Sequence, residues 1–130
     1  MSKQNIDLVQ FYFDAVARGD LEAAGNTFAD DLVWHQPGGN SLSGTHRGKS
    51  AVFGLLSAFM ERSAGSFRID RVEHLFANGD LVAATIHFAA ESGSKTMAMA
   101  GIDLLRVEAG KIAEVWLFSA DQPAEDAFWG

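Results

Sequence analysis

Two side chains carry the most chemical information in this chain, Tyr12 and Asp103. Asp103 lies in the apolar run Thr96 to Val107. Strand alternation there puts Met97, Met99, Gly101, Asp103, Leu105 and Val107 on one face. Asp103 is the only ionisable residue on that face, and a carboxylate buried there is costly unless it is paired or stays protonated. A protonated carboxylic acid is a hydrogen-bond donor. The plainer alternative is an aspartate satisfied by a backbone N–H or a tyrosine hydroxyl. Tyr12, the only tyrosine, sits on the flank of an apolar helix, where a buried hydroxyl needs a partner. If helix and strand face each other, the pair makes a two-donor site for an oxyanion.

A second group lies in the stretch Leu32 to Gly48, LVWHQPGGNSLSGTHRG, which reads as the mouth of a pocket. Alternation puts Trp34 and Gln36 on one face and His35 on the other. With Gln36 inward, an indole and an amide stand ready to orient a ligand carbonyl. His35 is the better base by pKa, and reaches the pocket only if the chain turns before Pro37. His46 is a loop candidate beside Arg47; the alternative is a solvated His-Arg pair. Met99 shares the face of Asp103, and Trp116 and Asp121 sit on and just past the last strand. Asp121 serves either as a second acidic group or as the cap of the final turn.

The elements that position these groups follow from periodicity. Asn5 to Arg18 is a helix, stopped by Gly19, and Asp20 caps a short second helix, Leu21 to Phe28. Asp30-Asp31 is read as a polar break before a strand that starts at Leu32. Lys49 to Arg62 is a third helix with the stripe Val52, Leu55, Leu56 and Phe59. The period then changes to two, giving strands Phe67–Ala77, Leu81–Glu91, Thr96–Val107 and Lys111–Ser119, joined by short turns and therefore antiparallel neighbours. The tail carries Pro123 and ends in an apolar pair, Phe128-Trp129, which implies that it is docked. The result is an α+β layer fold in which residues 1–130 form one domain. Three helices cannot cover both faces of so long a sheet, so a C₂ homodimer is expected on the other.

Composition excludes several functions. A net charge of −7 with scattered Lys and Arg argues against nucleic acid. No run of eighteen apolar residues suggests a membrane span. The start lacks the pattern of a signal peptide, which points to a bacterial-type cytoplasm. Without cysteine there is no thiol nucleophile and no thiolate metal site, and the spacings His35…His46 and His74…His87 match no metal motif. Neither a metal nor another cofactor is expected.

Several segments in order resemble the SnoaL-like branch of the NTF2-like superfamily, which includes ketosteroid isomerases and polyketide cyclases. They are Phe11-Tyr12 with Ala17-Arg18-Gly19-Asp20, Phe28-Ala29-Asp30-Asp31, the Pro37-Gly38 loop with Leu42-Ser43-Gly44 and Arg47-Gly48, and Gly110-Lys111-Ile112-Ala113-Glu114-Val115-Trp116. The resemblance covers nearly the whole chain. It implies a conical half-barrel, three N-terminal helices on a curved antiparallel sheet, with a deep apolar pocket and usually a dimer. It also implies that Tyr12 and Asp103 match the oxyanion-hole tyrosine and the protonated aspartate of ketosteroid isomerases. The family's proton-shuttling aspartate falls on Gln36, which cannot take a proton at neutral pH. In the cyclases an aspartate near the last strand acts as acid/base, and Asp121 is its candidate here. The expected function is isomerase, cyclase or dehydratase chemistry on a small apolar carbonyl compound through its enolate, with His35, Asp121 or the substrate itself moving the proton. The alternatives are a non-catalytic ligand-binding module and a dimerisation domain of the same fold.

Overall fold

The computed structural model describes residues 2–130. Its elements are α1 (Ser2–Ala17), α2 (Leu21–Gly25), β1 (Phe28–Gln36), β2 (Gly44–Arg47), α3 (Lys49–Arg62), β3 (Arg68–Asn78), β4 (Leu81–Ser92), β5 (Lys95–Glu108), β6 (Lys111–Ser119) and α4 (Gln122–Trp129). The strands form one sheet in the order β2-β1-β6-β5-β4-β3. All neighbours are antiparallel except β1 and β6, which run parallel. The sheet is open, with β2 and β3 at its edges, and it curves around the helices as the α+β half-barrel requires. Register shifts in β1, β3 and β6 bend the strands where the curvature is needed.

Local chemistry explains the boundaries. Asp20 caps α2, its carboxylate accepting from the Ala23 N–H at 3.0 Å. That helix ends at Gly25 and does not continue to Phe28 as the sequence suggested. Thr27 Oγ1 donates to the Ala24 carbonyl at 2.6 Å, and the chain turns there into β1. The Asp30-Asp31 pair is likewise not a break. It lies within β1 as two exposed residues of the bulged half of the strand, between the buried Phe28 and Leu32. The stretch 44–47, read as loop, makes the short edge strand β2, pairing Val33 with Arg47 through Gln36 with Gly44.

The tail is docked, and it is a helix. Asp121 caps it, accepting from the Ala124 N–H at 3.1 Å, and Pro123 sits in its first turn, where the missing N–H costs nothing. Phe128 and Trp129 are buried by it, each contributing about 1.5–3 kcal/mol of apolar burial. So the three expected helices are joined by a fourth, α4, which closes the end of the cone.

One face of the sheet packs on the helices. From α1 come Val9, Tyr12 and Phe13, from α3 Val52, Leu55 and Phe59, and from β5 Met97, Met99, Leu105 and Val107. The other face leaves Phe76, Ile102 and Phe118 exposed. No helix of the described residues is long and apolar enough to cross a membrane.

Candidate active site

Between α1, α3, α4 and the concave face of the sheet lies a cavity of about 370 Å³. That is within the size range of sites for small organic molecules. Its apolar wall is aromatic. Phe59 and Trp129 have ring centroids 5.0 Å apart, Phe67 and Trp129 5.8 Å, and Phe67 and Phe88 6.3 Å. These residues come from α3, the segment before β3, β4 and α4, so the wall exists only once the tail helix is in place.

The polar groups are set by the sheet register. Asp103 of β5 pairs with Leu117 of β6, and Gln36 follows the last β1–β6 pair, His35 with Trp116. Inward Gln36, Leu117 and Asp103 therefore form a row across three strands, with roughly 10 Å between its outer members at about 4.8 Å per strand. Tyr12 faces this row from α1, and Glu125 descends on it from α4.

Asp103 is 3 % exposed, and its carboxyl makes no hydrogen bond among the described residues. Burial, and then the negative charge of Glu125, push it up to about 7. Below that pH it is a neutral acid with a free O–H. Tyr12 is equally buried, and its hydroxyl too has no hydrogen-bond partner among the described residues. Burial, and then the nearby Asp103, push it far above the ordinary phenol range, so it stays protonated at any working pH. Two unpartnered donors thus face one apolar cavity.

Trp34 Nε1 donates to Gln36 Oε1 at 3.1 Å, and both side chains are buried. An indole N–H can only donate, which fixes the amide's orientation. The Gln36 amino group is thereby left free to donate to a ligand. Glu125, 4 % exposed, accepts from Ser119 Oγ at 2.6 Å, Gln122 Nε2 at 3.2 Å and Trp129 Nε1 at 3.1 Å. At the rim, Arg68 is held by a double hydrogen bond to Glu91 at 3.0 and 3.2 Å.

Of the residues singled out from sequence, Tyr12, Trp34, Gln36 and Asp103 line this cavity together. His35 does not. It points to the opposite face of the sheet, with Nε2 2.6 Å from Glu114 Oε2 and its ring stacked on Trp116 at 5.5 Å. Pro37 leaves the register of β1 intact through Gln36, so the imidazole stays outside. Trp116 shares that outer face. His46 lies in β2, its Nε2 2.9 Å from the Leu42 carbonyl oxygen, away from the cavity. Met99 is buried in the core beyond the lining, and Asp121 is occupied as the exposed α4 cap. Sequence reasoning missed Glu125 altogether. Its signal was the spacing Glu125, Phe128, Trp129 after the capping Asp121, which places carboxylate and indole on one helical face.

Residues 9–115 match the SnoaL-like domain family. A crystal structure of a protein of unknown function with a cystatin-like fold from Xanthomonas campestris is 48% identical. It covers 97% of this chain and 98% of its own, with a TM-score of 0.94. An NTF2-like protein from Burkholderia xenovorans is 22% identical, covering 100% and 98%, with a TM-score of 0.81. A protein from Sinorhizobium meliloti, assigned as a candidate polyketide cyclase, is 21% identical, covering 85% and 93%, with a TM-score of 0.69. With its open six-stranded half-barrel and the cavity between sheet and helices, the chain belongs to the SnoaL-like domain family of the NTF2-like fold.

Proposed function

We propose that this protein binds a small, largely apolar carbonyl compound and stabilises its enolate, as an isomerase, cyclase or dehydratase would. One observation carries the reading: Tyr12 and Asp103 are both buried residues whose hydroxyl and carboxyl have no hydrogen-bond partner among the described residues, side by side in the lining of an aromatic cavity. An enolate oxygen gains charge as the α-carbon loses its proton. Fixed donors in a dry site stabilise that charge without reorganisation when it forms. The aromatic wall suits planar or polycyclic rings, and the Gln36 amino group supplies a further donor for a second oxygen. The SnoaL-like family and the candidate cyclase among the structural neighbours agree with this class of chemistry. The alternative is a binding module without turnover; it draws on Gln36, whose amide orients but takes no proton. A homodimer through the exposed face of Phe76, Ile102 and Phe118 and a cytoplasmic location belong to the same proposal.

The test uses 2-tetralone, a bicyclic ketone with acidic α-protons. In D₂O, the wild-type protein should speed exchange of these protons, followed by proton NMR. Tyr12→Phe should slow the exchange by about 10²–10³-fold, the usual cost of losing one oxyanion donor. Equal exchange in the two proteins would remove the enolate reading. Binding without any exchange would favour the binding module.

A further inference from the structure

The enolate reading leaves one chemical requirement open, a group that takes the proton from carbon. Within the cavity the nitrogen-bearing side chains cannot do it. Gln36 is an amide, Trp34 and Trp129 are indoles, and Arg68 is a guanidinium tied to Glu91. The histidines lie outside the lining. Two carboxyl groups remain, Asp103 and Glu125, and they share the cavity in unlike surroundings. Asp103 has no donor among the described residues. Glu125 has three, from Ser119, Gln122 and Trp129. Three donors aimed at one carboxyl and none at the other set them apart: Glu125 is arranged as an acceptor, and Asp103 is left free to donate.

We propose that Glu125, held by Ser119, Gln122 and Trp129, is the proton acceptor of the pocket it shares with the donor pair Tyr12 and Asp103. The proposal rests on the enolate reading of the same cavity. A carboxylate has roughly four acceptor positions. Oε1 receives Ser119 and Gln122, while Oε2 receives only Trp129, so a lone pair on Oε2 is free. The step balances within the site. The α C–H bond breaks, its proton bonds to the Glu125 carboxylate, and its electron pair enters the enolate, whose oxygen is held by Tyr12 and Asp103. Once the proton on Glu125 has exchanged with solvent, delivery of a deuteron to the same carbon gives exchange, and return of the proton to a conjugated carbon gives isomerisation. No oxidant, reductant or second substrate is needed. The three donors are also what keeps the carboxylate aimed, so Ser119, Gln122 and Trp129 are positioning residues.

The experiment is the 2-tetralone exchange, run at pH 6 so that Asp103 is mainly protonated. Glu125→Gln preserves shape and removes basicity. It should lower the exchange rate by about 10²–10⁴-fold, the range of general-base catalysis, with the tetralone Kd within 3-fold of wild type, roughly the limit of context effects. Glu125→Ala with added formate or acetate then separates proton transfer from a merely structural role. Rescue should be greater with the more basic acetate, although formate is smaller. Equal rescue, or none, would assign Glu125 to the electrostatics or architecture of α4 and overturn the proposal. A Glu125→Gln rate within about 3-fold of wild type, alongside a slow Tyr12→Phe, would overturn it while leaving the enolate reading standing. Wild-type exchange no faster than buffer would overturn both. Circular dichroism checks each fold. Should Gln and Ala both unfold the protein, Glu125→Asp decides: a loss of about 10-fold or more supports the proposal and an unchanged rate refutes it.

Discussion

Replacing Asp103 by asparagine should make the protein more stable at alkaline pH, by an amount that depends on pH in a defined way. Asp103 moves from an ordinary value of 3.8 to about 7 in the folded protein, because burial and the Glu125 charge oppose its ionisation. The folded pKa lies above the unfolded one, so the folded state binds more protons between the two values. Stability from this group is complete below about pH 4 and falls as pH rises toward 7, after which the loss is constant. At about 1.36 kcal/mol per unit, the loss is roughly 1.7 kcal/mol at pH 5 and about 4 kcal/mol at pH 8. Asparagine is uncharged at both. Its own packing cost is the same at pH 5 and pH 8, so it cancels when the two are compared. The stability difference between Asp103→Asn and wild type should therefore shift by roughly 2.5 kcal/mol in favour of the variant between these pH values. Urea unfolding of both proteins at pH 5 and pH 8 measures it. A shift under about 0.5 kcal/mol would mean that Asp103 is ionised in the fold at neutral pH, and the two-donor site would go with it.

Other consequences follow from the geometry. His35→Ala should leave 2-tetralone exchange within about 2-fold of wild type, since the imidazole engages Glu114 and Trp116 on the far face; a loss above about 10-fold would show that this face takes part. Gly101→Ala should destabilise the fold by about 1–3 kcal/mol in thermal or urea unfolding, because a Cβ there would lie 2.7 Å from the Phe118 carbonyl oxygen and 3.1 Å from the Phe88 ring. If the exposed sheet face is a dimer interface, Phe118→Asp should halve the mass seen by light scattering and leave the monomer folded; a wild-type protein that is already monomeric refutes that interface.

Much of this arrangement was legible in the chain, for physical reasons particular to each element. A period of two over residues 95–108 is enough to turn Asp103 inward, and the same rule turns Trp34 and Gln36 toward the cavity and His35 away. Weighting His35 for its titratable ring set chemical aptitude against strand geometry, and geometry prevailed because Pro37 follows the strand without disturbing it. The parallel pairing of β1 with β6 was not legible, since short turns reveal only antiparallel neighbours in series. Nor was β2: four largely exposed residues carry no hydrophobic pattern, and their pairing depends on where β1 already lies. Asp30 and Asp31 misled for a similar reason, being polar residues facing water from a strand interior. Glu125 escaped because its role needs the tail to be a helix. Phe128 and Trp129 showed that the tail docks, but only helical spacing sets the carboxylate under the Trp129 indole.

In the proposed site two neutral donors, Tyr12 and Asp103, meet a ligand oxygen inside an aromatic cavity. Naphthalene and 2-naphthol test it most directly, because the aromatic wall contacts both and only the donor site distinguishes them. Measured by titration at pH 6, 2-naphthol should bind at least about 10-fold more tightly than naphthalene, and Tyr12→Phe should remove most of that advantage while leaving naphthalene affinity unchanged. Equal affinities in the wild-type protein, or an advantage that survives Tyr12→Phe intact, would contradict the account.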